Sequence, residues 1–64
     1  MADFTRAVKG VLLENNCHFV RYGKGDHEIW FSPVTGRSFT VDGSISKRSS
    51  AIKTLKKAGI NKLI

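Results

Sequence analysis

Apolar residues recur at helical spacing near the two ends of the chain and at strand spacing between them. Phe4, Val8, Val11, Leu12 and Asn15 stand three and four residues apart, which sets them on one stripe and predicts a helix over about Asp3 to Asn15. Asp3 is the candidate N-cap and the pair Asn15-Asn16 the candidate stop, while Gly10 inside the helix costs about 1 kcal/mol relative to alanine. A second stripe, Ala51, Ile52, Leu55 and Ala58, predicts a helix over about Lys47 to Ala58 with Ser46 as its candidate cap. Gly59 follows as a stop that can take the left-handed conformation, Ile60 is placed to pack back on the last turn, and Lys56 and Lys57 complement the helix dipole.

Between the helices lie three β-rich segments, Cys17 to Tyr22, His27 to Phe31 and Arg37 to Val41. Their separators, Gly23-Lys24-Gly25-Asp26 and Ser32-Pro33-Val34-Thr35-Gly36, have the length and composition of hairpin turns. Alternation puts Cys17, Phe19 and Arg21 on one face of the first segment, and Arg37, Phe39 and Val41 on one face of the third. The middle segment is open to two registers, with either Ile29 and Phe31 or Trp30 alone turned to the core. The order α-β-β-β-α with short links predicts an α+β fold, a three-stranded antiparallel meander with both helices on one face and the other face partly exposed.

At 64 residues the chain makes one small domain, 1–64, near the lower size at which a hydrophobic core alone supports folding. It has no apolar run of the roughly 18 residues that would cross a bilayer and no basic-then-apolar secretion pattern, so no membrane association and a cytoplasmic location are expected. The single cysteine, Cys17, makes neither an internal disulfide nor a thiolate metal site, which fits a reducing compartment and the role of a small core residue.

Charge changes the picture more than length does. The net charge is +6, and every charged residue after Asp42 is basic: Lys47, Arg48, Lys53, Lys56, Lys57 and Lys62. Such a concentration favours a polyanion through counterion release, and nucleic acid is the commonest one. Composition by itself does not separate RNA, DNA, an acidic protein, or a helix face that lysines merely keep solvated. Lys53, Lys56 and Lys57 are candidates for phosphate contacts that position RNA without reading its sequence, and equally for the edge of a protein interface.

The chemistry gathers in Gly23-Lys24-Gly25-Asp26-His27-Glu28-Ile29-Trp30. Glycine admits backbone close to a bulky anion, turn amides can point at phosphate oxygens, and an imidazole moves protons near neutral pH. His27 is therefore the candidate catalytic residue, with Gly25 and Lys24 at the phosphate and Arg21, Arg37 and Lys47 as further cations whose distance depends on the open register. Asp26 and Glu28 would raise the histidine pKa and repel phosphate unless turned away or neutralised by Lys24; ordinary turn and strand polarity accounts for both. His18 lies on the opposite alternation face from Phe19 and reads as structural or exposed. Trp30, Tyr22, Phe19 and Phe31 can stack on bases, but so small a domain needs aromatics first for its core. Two histidines across a turn, with no matching carboxylate or thiol cluster, fall short of metal-ligand spacing.

Gly25-Asp26-His27-Glu28-Ile29-Trp30, followed by Ser32-Pro33 and Gly36-Arg37, resembles a HicA-type mRNA interferase, the toxin of a bacterial toxin-antitoxin pair. The likeness extends through Val11-Leu12-Leu13-Glu14-Asn15, Phe39-Thr40-Val41 and Leu55-Lys56-Lys57-Ala58-Gly59-Ile60, nearly the whole chain. It departs at Asn16, where several members have glycine, and at Asp26 and Glu28, where they have serine or histidine. The resemblance implies a double-stranded-RNA-binding-domain-like fold, endoribonuclease activity on mRNA with His27 catalytic, and inhibition by a HicB-type antitoxin; it does not imply a metal, and no small-molecule cofactor is expected. Two other classes are carried beside it, a noncatalytic RNA-binding module of the same fold and a small basic protein-interaction domain.

Overall fold

The first apolar stripe forms α1, Thr5–Glu14, which buries Val8, Val11 and Leu12. The helix starts later than the stripe suggests, and its cap position belongs to Phe4, without a side-chain cap bond, rather than to Asp3. Asp3 Oδ1 accepts the Thr5 N–H at 3.0 Å, and the Phe4 N–H donates to the Ile45 carbonyl at 2.8 Å. The backbone N–H and the side chain of Thr5 together hold the carboxyl of Asp3 below the usual carboxylate range. Asn16 ends the helix in the left-handed region at φ 65°, and the Cys17 N–H then returns to the Leu12 carbonyl at 2.9 Å. The computed structural model describes residues 3–62.

The three strands are β1, His18–Tyr22, β2, Glu28–Ser32, and β3, Arg37–Val41, joined as an antiparallel meander in the order β1-β2-β3. Cys17 stays outside β1 and is buried in the core. The middle strand starts one residue later than its sequence suggests, which leaves His27 as the last residue of the turn.

Register, open in the sequence, is decided by tryptophan. Trp30 lies opposite Phe19 on one side and Phe39 on the other, and is 5% exposed. Its ring brings the largest apolar area of the strand to the core, and its indole N–H needs a partner there. Glu28, two residues earlier on the same face, accepts that N–H at 2.9 Å and receives the Lys9 ammonium at 3.0 Å. Ser32 completes the inward set: fully buried, its hydroxyl donates to the Ala58 carbonyl at 2.6 Å and accepts the Val34 N–H at 3.2 Å. Ile29 and Phe31 therefore face the other way.

One expectation about β1 is corrected. Alternation puts Arg21 on the face of Cys17 and Phe19, but the pairing shifts between Phe19 and Arg21, so that Phe19 opposes Trp30 and Arg21 opposes Ile29. Val20 is the extra residue of a bulge, and one extra residue sends every later side chain to the opposite face.

The second stripe forms α2, Arg48–Lys57. Ser46 is not its cap: the cap position belongs to Lys47, in extended conformation with no side-chain hydrogen bond, which leaves Ser46 one residue too early to reach the free N–H groups. Ala51, Leu55 and Ala58 are fully buried, but Thr54 rather than Ile52 completes the inner face, its hydroxyl donating to the Ser50 carbonyl at 2.9 Å. Gly59 at φ 77° and the bond from the Ile60 N–H to the Leu55 carbonyl end the helix as its sequence implies.

Side chains of α1, α2 and one sheet face, Trp30, Phe39 and Val41, make one core cluster. Both helices thus cover the same face of the sheet, and the order α-β-β-β-α of an α+β fold holds as expected. No helix among the described residues is long and apolar enough to cross a membrane.

Glu28 links this packing to pH. The Trp30 indole N–H, with the Lys9 hydrogen bond and charge, holds its carboxyl below the ordinary value against the opposing effect of burial. A carboxyl depressed in the folded state contributes stability that is present above its unfolded pKa and lost as pH falls through the folded one. Urea unfolding of Glu28→Gln should accordingly give lower stability than the native chain at pH 7 and a smaller further loss between about pH 5 and pH 3. Parallel acid limbs for the two proteins would show that Glu28 does not carry this linkage.

Candidate functional site

With Glu28, Trp30 and Ser32 turned to the helices, alternation sends His27, Ile29 and Phe31 to the helix-free face. The same step along β3 sends Ser38, Thr40 and Asp42 there, and the bulge in β1 adds Arg21 beside His18. An open face with an imidazole at one end results from one inward tryptophan and one extra residue.

His27 closes the β1–β2 turn. The Gly23 N–H donates to the His27 carbonyl at 2.8 Å, and the His27 N–H donates to the Lys24 carbonyl at 3.2 Å. Gly25 sits at the tip at φ 66°, a conformation that favours glycine, with nothing within 4 Å of where a Cβ would be. Lys24 is exposed in the same turn.

The side chain of His27 is half exposed, at 47%, and its Nε2 lies 3.2 Å from Asp42 Oδ1. Since Glu28 opposes Val41, the next pair outward is His27 with Asp42, and the meander itself brings imidazole and carboxylate together. Gly43 holds the two turns against each other: a Cβ there would overlap the Asp26 carbonyl oxygen and stand 2.9 Å from the Asp26 Cβ. Only glycine lets the β3–α2 loop pass so close under the histidine turn.

Charge around the imidazole is sorted by face. Glu28 is turned to the helices and neutralised by Lys9, a partner the sequence does not suggest, rather than by Lys24. Arg21 opposes Ile29 while Gly23 meets His27, so Arg21 and His27 are diagonal neighbours on one face, a relation that separates Cβ atoms by about 7 Å. Among the described residues no carboxylate lies within ion-pair distance of Arg21 or Lys24.

Arg37 and the lysines of α2 are not gathered here. Arg37 opposes Ser32 at the far end of the sheet, five residues along β2 from His27 or roughly 17 Å, and on the helix side. Lys53, Lys56 and Lys57 line the exposed side of α2, whose inner side packs on the core, so the helix layer separates them from the open face. Lys47 is exposed at the start of α2. His18 shares the open face but pairs with Phe31, its ring 5.5 Å from that of the phenylalanine, and lies roughly 14 Å from His27.

No family model, curated protein or solved structure matches the chain. What the site can do therefore rests on its own chemistry. One half-exposed imidazole with a carboxylate at one nitrogen, beside an arginine, a lysine and a glycine turn, can bind an anion and move a proton. Among the described residues no group of three or more histidine, cysteine, aspartate or glutamate side chains is placed to hold a metal ion.

Asp42 is the residue that sequence reasoning missed. Its signal was indirect, because Asp42 faces His27 only once Trp30 is known to point inward and to oppose Phe39.

Proposed function

We propose that this chain is a HicA-like endoribonuclease that cleaves single-stranded mRNA at the open sheet face, with His27 moving the proton. The observation that carries the reading is the setting of His27: half exposed at the end of a glycine turn, on the face that the helices leave free, with Arg21 and Lys24 at hand. The resemblance of the turn and its flanks to HicA-type interferases supports the same assignment.

In the reaction the RNA 2'-hydroxyl attacks the adjacent phosphorus and His27 takes its proton. The products are a 2',3'-cyclic phosphate and a 5'-hydroxyl, and no water nucleophile is needed. Arg21 and Lys24 counter the charge that develops on the phosphorane oxygens, where fixed cations act most strongly. Open space at Gly25 lets a phosphate approach the turn backbone closely. A HicB-type antitoxin that covers the open face would block RNA and silence the enzyme.

Incubation of the purified chain with RNA in EDTA tests the reading. Cleavage by the native chain, slowed at least about 100-fold in His27→Ala, is expected; no cleavage by either, with RNA still bound, would favour the noncatalytic module, and no interaction with RNA at all would favour the protein-interaction domain. Lys24→Ala should weaken RNA binding about equally for all sequences and reduce the slope of log K against log salt by about 1. An unchanged salt slope would remove Lys24 from the phosphate contacts.

A further inference from the structure

Among the groups that the ribonuclease reading does not use, Asp42 has the most specific geometry. It comes from a different loop than His27, yet its Oδ1 lies 3.2 Å from Nε2, and the approach depends on a glycine, Gly43, that no other residue can replace without moving the Asp26 backbone. The last pair of the ladder, Glu28 with Val41, stands directly beside them, so the backbone brings the two short side chains together. Other carboxylates are differently engaged: Glu28 faces the helices with Lys9 and Trp30, and Glu14 pairs with Lys62.

We propose that Asp42 is a positioning residue for His27: its carboxylate accepts the Nε2 proton, fixes the ring and its tautomer, and so makes Nδ1 the nitrogen that takes the proton of the RNA 2'-hydroxyl. The inference rests on the ribonuclease reading and deepens it by naming the working atom. A neutral imidazole carries one N–H and one bare nitrogen, and which is which follows from the hydrogen bond that the other nitrogen makes. With the N–H on the Asp42 side, the lone pair of Nδ1 is left for the substrate. The 2'-oxygen then forms its bond to phosphorus as its proton passes to Nδ1, the bond from phosphorus to the 5'-oxygen breaks, and the 5'-oxygen takes a proton from solvent water. The imidazolium, stabilised by the adjacent carboxylate, returns its proton to solvent, so that charge and protons balance over the turnover.

At 64 residues the chain is within reach of chemical synthesis, which allows each ring nitrogen of His27 to be blocked by a methyl group in turn. Methylation at Nδ1 should abolish RNA cleavage as fully as His27→Ala, whereas methylation at Nε2 should leave the reduced activity of Asp42→Asn. Asp42→Asn is expected to lower kcat by roughly 10- to 100-fold with KM little changed, less than loss of a buried triad aspartate costs because this pair is half exposed. Asp42→Glu should recover part of that loss, which an effect on folding alone would not give, and thermal unfolding of each variant confirms the fold. Activity surviving at Nδ1-methyl but not at Nε2-methyl, or an Asp42→Asn enzyme as fast as the native one, would overturn the assignment while leaving the ribonuclease reading intact. A native chain that cleaves no RNA would end both.

Discussion

Replacing His27 by alanine is expected to slow RNA cleavage by about 100- to 10,000-fold while fold and RNA affinity stay nearly unchanged, the span that a positioned proton donor or acceptor contributes. The loss should be specific because the ring does little for the core. Its side chain is 47% exposed, the turn is held by backbone bonds from Gly23 and to Lys24, and the inward residues of β2 are Glu28, Trp30 and Ser32. Surface substitutions of this kind change stability by about 0.5 kcal/mol or less, which for a domain of this size moves Tm by no more than about 4 °C. Cleavage at near-native rate by His27→Ala, with Tm intact, would move the chemistry elsewhere; His18 is the only other imidazole, and it stands at the far end of the face beside Phe31.

Gly43→Val is expected to have the second largest effect, and on two readouts together. A Cβ at this position falls within 3 Å of the Asp26 carbonyl oxygen, Cβ and Cγ, so the backbone of the histidine turn has to shift. Such overpacking costs about 1–3 kcal/mol. Because the displaced turn carries His27 and faces Asp42, a shift near 1 Å should also lower cleavage by roughly 100-fold. Urea unfolding and initial cleavage rates measured on the same preparation check both, and a variant as active as the native chain would show that the two turns need not stay in contact for activity. Gly25→Ala makes a useful contrast, since space around that Cβ is open and only the left-handed backbone at φ 66° opposes the change.

The helices and turns were legible in the sequence because each signal is local. Stripes at three- and four-residue spacing gave α1 and α2, and the left-handed residues at Asn16 and Gly59 stop them where the sequence implies. Ser46 failed as a cap for an equally local reason, a helix that begins one residue later than its stripe suggests. The sheet was less legible, since pairing is a long-range choice. Nothing in Ile29-Trp30-Phe31 says which side is inward until Lys9 of α1 is available to neutralise Glu28, which in turn accepts the buried indole N–H. The bulge at Val20 has no marker such as glycine, and it reverses the face of Arg21.

The site inherits this division. His27, Lys24 and Gly25 belong to one turn and were found together, whereas Asp42 and the proximity of Arg21 depend on register and bulge. Arg37 has only its charge in common with the site and lies at the other end of the sheet. The cationic side of α2, Lys53, Lys56 and Lys57, faces away from the open face and forms a separate surface.

The most direct test of the account is to offer the native chain, in EDTA, a defined single-stranded RNA and the same sequence with 2'-O-methyl sugars, and to analyse the fragment ends. The account predicts cleavage of the unmodified strand alone, to 2',3'-cyclic phosphate and 5'-hydroxyl ends. Equal cleavage of both strands would contradict attack by the 2'-hydroxyl, and binding without cleavage of either would contradict the assignment of His27 to catalysis.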